Sequence, residues 1–210
     1  MFVSFEGIDG AGKSTQARLL AERLGSGTVL LREPGGTPAG ERLRELLKDP
    51  QLELTPRAEL LLFCAARAEL VERVIRPALV AGHDVVCDRF GDSTVAYQGA
   101  ARGLGTETVR TLNEIAVDGC MPDRTVLLRV PTGEAADRGA GRGGFGADRF
   151  EREGEGFQAA VGAAFDELAA AEPGRFVTID GGGLAEDVHA AICVGLGIGT
   201  GTGSEGDGRR

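Results

Sequence analysis

The 210-residue chain is poor in lysine, tyrosine and histidine: Lys13 and Lys48, Tyr97, and His83 and His189 are all it has. Positive charge is also scarce, with 23 basic against 32 acidic residues and a formal charge of -9. Nucleic acid and anionic membrane are therefore not expected as partners, since both call for a net basic surface. No apolar stretch approaches the roughly 20 residues that a membrane-spanning helix needs. The chain opens directly on a strand-like run, without a basic segment and cleavage site, so a cytoplasmic location is expected. Cys64, Cys87, Cys120 and Cys193 show neither CxxC nor metal-ligand spacing,. Cys87 and Cys193 lie in apolar runs, which predicts buried thiols in a reducing compartment. The two histidines fall in a turn and a helix, outside any motif, and nothing resembles a nucleophile–base pair.

What is present is an alternation of strands and helices. MFVSFEG is a short apolar run fit for a buried parallel strand. Further strands are predicted at 28–31, 84–88, 124–130 and 175–179. Helices are predicted at 13–24, where Ala17, Leu20, Ala21 and Leu24 form a stripe, and at 40–48, 56 to about 80, 106–118, 151–171 and 184–196. This pattern predicts an α/β fold, a parallel sheet with helices on both faces and ligands beyond the carboxyl ends of its strands. One domain is expected over 1–196. Residues 132–148, rich in glycine and arginine, read as a mobile flap unable to pack a core, within a lid over about 132–150. Residues 197–210 read as a disordered glycine-rich tail.

Gly7-Ile8-Asp9-Gly10-Ala11-Gly12-Lys13-Ser14 fits G-x-x-x-x-G-K-[ST], placed between a strand and a helix as that motif requires,. Its glycines let backbone N–H groups curl around phosphate oxygens, and the helix N-terminus adds partial positive charge. Gly7, Gly10, Ala11, Gly12, Lys13, Ser14 and Thr15 are thus the candidate ATP contacts. Lys13 would reach the β and γ phosphates and Ser14 would ligate Mg²⁺. The plainer alternative, a glycine turn with a chance lysine, is disfavoured by the near absence of lysine elsewhere. No N-K-x-D-like stretch offers guanine recognition, and no second lysine occurs in the loop. A kinase acting on a small acceptor is the class that remains.

Four stretches, FEGIDGAGKST (5–15), REPGGT (32–37), LFCAAR (62–67) and DRFGDSTVAYQG (88–99), resemble those of the bacterial thymidylate kinases in order and spacing. The resemblance runs from residue 1 to about 196. It implies a P-loop NTPase three-layer sandwich with a five-stranded parallel sheet and a mobile lid. It also implies transfer of the ATP γ-phosphoryl group to dTMP, with Mg²⁺, in a homodimer joined through helices over 56–80. Phe63 and Arg67 share a helix face; the resemblance gives them to the thymine ring and its carbonyl edge, where helical spacing alone favours a core phenylalanine and an exposed arginine. Asp88, ending an apolar strand, is a candidate to orient the Mg²⁺ shell or the acceptor, and Arg89 to hold the acceptor's phosphate as a guanidinium fork. A salt-bridged cap is the alternative for that pair. Family logic gives Thr94 and Gln98 to the base edge and sets Tyr97 against the sugar, excluding a ribose 2′-hydroxyl. Asp9 would accept from the acceptor's 3′-hydroxyl, pair with a nearby arginine, or both.

The family supplies a catalytic arginine from the phosphate loop or from the lid. This loop has none, so the lid's Arg142 is the first candidate, Arg149 the second, with Arg138 also available. Two rival functions stay open: a kinase for another nucleoside monophosphate, and an ATP-hydrolysing switch.

Overall fold

The structure is a computed structural model that describes residues 1–140, 150 and 153–199. Its centre is set by five short apolar strands: β1 (Phe2–Glu6), β2 (Val29–Arg32), β3 (Val85–Asp88), β4 (Arg124–Arg129) and β5 (Phe176–Asp180). They form one parallel sheet in the order β2-β3-β1-β4-β5. β1, buried at every residue, is the central strand, which is why its sequence shows no polar alternation,. Register places Asp88 opposite both Phe5 and Arg32, and Arg129 opposite Asp180. The carboxyl ends of the strands therefore line up along one edge, where the chain's polar motifs begin.

Helices cover both faces. α1 (Lys13–Leu24) packs on β1 and β3 and against α9 (Ala185–Gly195), while α8 (Glu155–Ala171) packs on β4 and β5. α2 (Pro38–Lys48) starts two residues before the predicted 40, because the Thr37 hydroxyl accepts from Gly40 N at 2.9 Å and Pro38 suits a first turn,. The predicted helix from 56 to 80 is continuous in path but not in winding. α3 (Pro56–Leu70) passes through a π-helical stretch, Val71–Ile75, into α4 (Arg76–Val80). The wide turns come directly before Pro77, whose ring nitrogen has no N–H to close an ordinary one. α5 (Gly91–Thr94) and a second π-helical stretch, Val95–Ala101, carry Thr94, Tyr97 and Gln98 inward, and α6 (Thr106–Val117) packs against them.

The flap expectation is corrected over its first half. Thr132–Ala140 is a helix, α7, and Ala135 is 2 % exposed with its carbonyl against Gly10. Each glycine costs a helix only about 1 kcal/mol, which one buried contact on the phosphate loop can offset. α8 begins at Glu155, not 151, behind an extended Gly154. Residues 141–149 of the lid and, of the predicted tail from 197, residues 200–210 lie outside the described residues. All four cysteines are free and buried. Among the described residues no helix is long and apolar enough to cross a membrane.

Candidate active site

The phosphate loop joins the end of β1 to the start of α1. Gly10 and Gly12 hold φ of 84° and 93°, left-handed values that glycine takes without strain,. A Cβ on Gly10 would fall 2.0 Å from the Ala135 carbonyl oxygen, so α7 leaves room for glycine alone. Lys13 is buried and donates to the Ile8 carbonyl at 2.7 Å. Burial, and then the Arg89 charge, bring its ammonium down to about 8, against the pull of Asp9, Asp88 and Glu6,.

Ser14, one residue into α1, donates to Asp88 Oδ2 at 2.5 Å from the end of β3. The other oxygen, Asp88 Oδ1, is buried and finds no partner among the described residues. A hydroxyl and a half-satisfied carboxylate at the mouth of a phosphate loop form a hard-oxygen donor pair, which fits Mg²⁺.

Arg89 follows Asp88 with φ of 69°, outside the range most side chains adopt, and its N–H is tied to the Phe5 carbonyl at 3.0 Å,. That twist turns the guanidinium back over the phosphate loop. Nη1 donates to the Gly7 carbonyl at 3.2 Å and to Ser93 Oγ at 2.9 Å. Nη2 donates to Asp9 Oδ1 at 2.6 Å and to the Tyr97 hydroxyl at 3.0 Å. Tyr97 in turn donates to Asp9 Oδ2, and the guanidinium lies 4.9 Å from its ring centre. Burial works to raise the Asp9 carboxyl, but Arg89 and Lys13 outweigh it and hold the group at about 2. Both readings of Asp9 made from sequence, the arginine partner and the place facing the acceptor, are compatible with this position; the arginine pair is formed.

Beneath Arg89 lies buried Glu6, which accepts from Phe90 N at 2.8 Å and Ser93 Oγ at 2.5 Å. Burial first, and the Asp92 charge second, push its carboxyl up to about 8. Glu6 thus sets Ser93, and Ser93 sets Arg89.

The residues expected at the base gather beside this cluster. Tyr97 is ringed by Phe150, Phe157 and Phe165 with centroids at 6.5, 6.0 and 6.4 Å, and Phe63 meets Phe150 edge-on at 5.8 Å. Arg67 departs from the exposed arginine that spacing alone favours: it is 1 % exposed. It donates from Nε and Nη2 to Glu33, from Nη1 to Asn113 at 2.6 Å, and from Nη2 to Thr94 at 2.8 Å. Among the described residues four of its five N–H groups are thereby engaged, which leaves one, on Nη1. Gln98, also 1 % exposed, donates to buried Glu59 at 2.8 Å. REPGGT is scaffold in the same sense: Glu33 anchors Arg67, while Arg32 pairs with Glu41, which also receives Gly36 N.

Of the lid arginines, Arg138 sits on α7, bonded to Glu134 and to the Gly181 carbonyl at 2.9 Å. Arg142 and Arg149 lie outside the described residues. Sequence reasoning missed Glu6, Glu59, Asn113 and Gln158. Asn113 had a signal: it interrupts the apolar face Val109, Ala116, Val117 of α6, all four residues being buried. Gln158, which donates to Asp9 Oδ2 at 3.3 Å from the first turns of α8, had none.

The family model described as thymidylate kinase matches residues 5–192. A thymidylate kinase of Rhizorhabdus wittichii is 48% identical over 199 residues, covering 93% of this chain and 96% of that protein. One from Synechococcus sp. is 51% identical over 197 residues, covering 91% and 93%. The crystal structure of thymidylate kinase from Ehrlichia chaffeensis superposes with a TM-score of 0.77 at 34% identity, covering 93% of this chain and 98% of that one. The chain belongs to the thymidylate kinase family.

Proposed function

We propose that the protein transfers the γ-phosphoryl group of ATP to dTMP by direct in-line displacement, giving ADP and dTDP. The observation that carries this reading is Arg89, the acceptor-side cation, bonded straight onto the donor loop through Asp9 and Gly7. Two phosphate groups held by these elements must meet end to end, and in phosphoryl transfer positioning and charge neutralisation supply most of the rate.

In this reading the loop amides take the donor's phosphates, and Lys13 leaves the Ile8 carbonyl for their oxygens. Bound phosphate favours the protonated ammonium, so a group at about 8 in the free protein stays charged at neutral pH,. Ser14 and Asp88 would hold Mg²⁺, which supplies charge neutralisation at the donor's phosphate oxygens. Arg89 exchanges its neutral partners, the Gly7 carbonyl and Ser93 hydroxyl, for the acceptor's phosphate, because a charged acceptor makes the stronger hydrogen bond. Phe63 lies flat on the thymine; Thr94, Gln98 and the remaining N–H of Arg67 take its edge. Tyr97, fixed at both ring and hydroxyl, occupies the room a ribose 2′-hydroxyl would need. Asp9 and Gln158 face the 3′-hydroxyl.

The test is ADP release with dTMP, dUMP, UMP, CMP and AMP as acceptors. dTMP is expected to turn over fastest, with negligible ATP loss when no acceptor is present. Fastest turnover of a ribonucleotide would contradict the thymidylate assignment, and ATP loss indifferent to acceptor would point to a switch instead.

A further inference from the structure

Glu59 is buried, at 1 % exposure, one helical turn before Phe63 on α3. Its Oε1 accepts from Gln98 Nε2 at 2.8 Å and from Arg102 Nε at 3.3 Å. Arg102 is fixed on its other side, donating to Glu153 at 2.5 Å and lying 4.8 Å from the centre of the Phe157 ring. Its cation therefore stands beside the Glu59 carboxylate in a place it cannot easily leave.

The consequence is chemical. A carboxylate only accepts hydrogen bonds, whereas a primary amide has a donating end and an accepting end. Glu59 can therefore hold Gln98 by its NH₂ alone, and the amide's oxygen is the end left over. Only the amide's nitrogen, Gln98 Nε2, meets Glu59. A glutamine unconstrained in this way could flip and offer either end to a ligand.

Resting on the thymidylate reading above, we propose that Glu59 is a positioning residue for base choice. By fixing the Gln98 amide, it presents an acceptor to the pyrimidine and so selects bases with N–H at position 3, thymine and uracil, over cytosine, whose N3 is itself an acceptor. Discrimination comes from the mismatch: with cytosine two acceptors would face each other in a desolvated pocket, and neither could turn away.

The experiment compares dTMP with 5-methyl-dCMP, which keeps the methyl group, sugar and phosphate and changes only the N3–C4 edge. For the wild-type chain the ratio of kcat/KM values is expected to exceed about 100 in favour of dTMP. Glu59→Gln, which can hold either end of Gln98, is expected to narrow that ratio at least about tenfold, chiefly by raising 5-methyl-dCMP turnover, with the ATP KM unchanged. A merely structural role would lower both acceptors together and leave the ratio where it was; that result overturns the proposal. Should Glu59→Gln not fold, Gln98→Met in the otherwise unaltered chain serves: the ratio should collapse, and an unchanged ratio means Gln98 does not read position 3. Absence of dTMP turnover in the wild-type chain would overturn the thymidylate assignment itself, a different failure from an unmoved ratio.

Discussion

Arg89→Ala is expected to reduce kcat/KM for dTMP on the order of 1,000-fold, the loss that follows from removing a preorganised donor to a charged group. Arg89 is aimed by four protein contacts and by an unusual backbone conformation, φ of 69°, so its position is set before substrate arrives. Arg89→Lys should recover little of the loss. An ammonium is one point of charge and cannot bridge Asp9 and Tyr97 while also meeting a phosphate. The ATP KM should move far less than the dTMP KM, because the loop amides and Lys13 remain. Steady-state kinetics with each substrate varied in turn measures this; a loss under tenfold, or equal change in both KM values, would remove Arg89 from the acceptor site.

The second large effect concerns folding. Arg67→Met should destabilise the protein by about 3–5 kcal/mol, the cost of leaving one member of a buried ion pair without the other. Glu33, 6 % exposed, would have burial acting on it without the Arg67 charge, and Thr94 and Asn113 would each lose a donor. For a chain of this size that is a melting temperature lower by roughly 6–20 °C. The pH dependence has a definite sign. Burial already raises the Glu33 carboxyl in spite of Arg67; without Arg67 it rises further. A carboxyl with a folded-state pKa above its unfolded value binds its proton on folding, so the variant is least impaired at acid pH and loses stability as pH rises above the usual carboxylate range. Glu33→Gln combined with Arg67→Met should recover part of the loss. Thermal melts between pH 5 and 8 decide it, and a variant melting within about 2 °C of wild type at pH 8 would contradict the account.

The phosphate loop was legible because its chemistry is local. Gly7 to Ser14 lie on one continuous stretch, and the strand before and helix after follow from apolar periodicity alone. Asp88 and Arg89 were legible for a related reason, since polar residues directly after an apolar strand have to emerge at the sheet's carboxyl edge. The supports of the site were not. Glu33, Glu59, Asn113 and Gln158 reach Arg67, Gln98 and Asp9 across 34 to 149 residues of sequence. Nothing in the residue types near them announces those partners. Arg67 shows the limit plainly: helical spacing suggests an exposed arginine, yet the fold supplies a carboxylate, an amide and a hydroxyl that let it be buried. The lid erred in the opposite direction, since composition made Thr132–Ala140 look unstructured while it forms a helix whose Ala135 lies against Gly10.

What ties these parts together is the claim that donor and acceptor phosphates meet head to head between the loop amides and Arg89. Calorimetric binding of a thymidine nucleotide joined to adenosine through a five-phosphate bridge measures that geometry without requiring turnover. One molecule should bind per chain, at least about 100-fold tighter than ATP or dTMP alone, because the second contact becomes intramolecular, and either substrate should displace it. Affinity no better than that of the tighter single substrate, or displacement by one substrate only, would mean the two sites do not face each other.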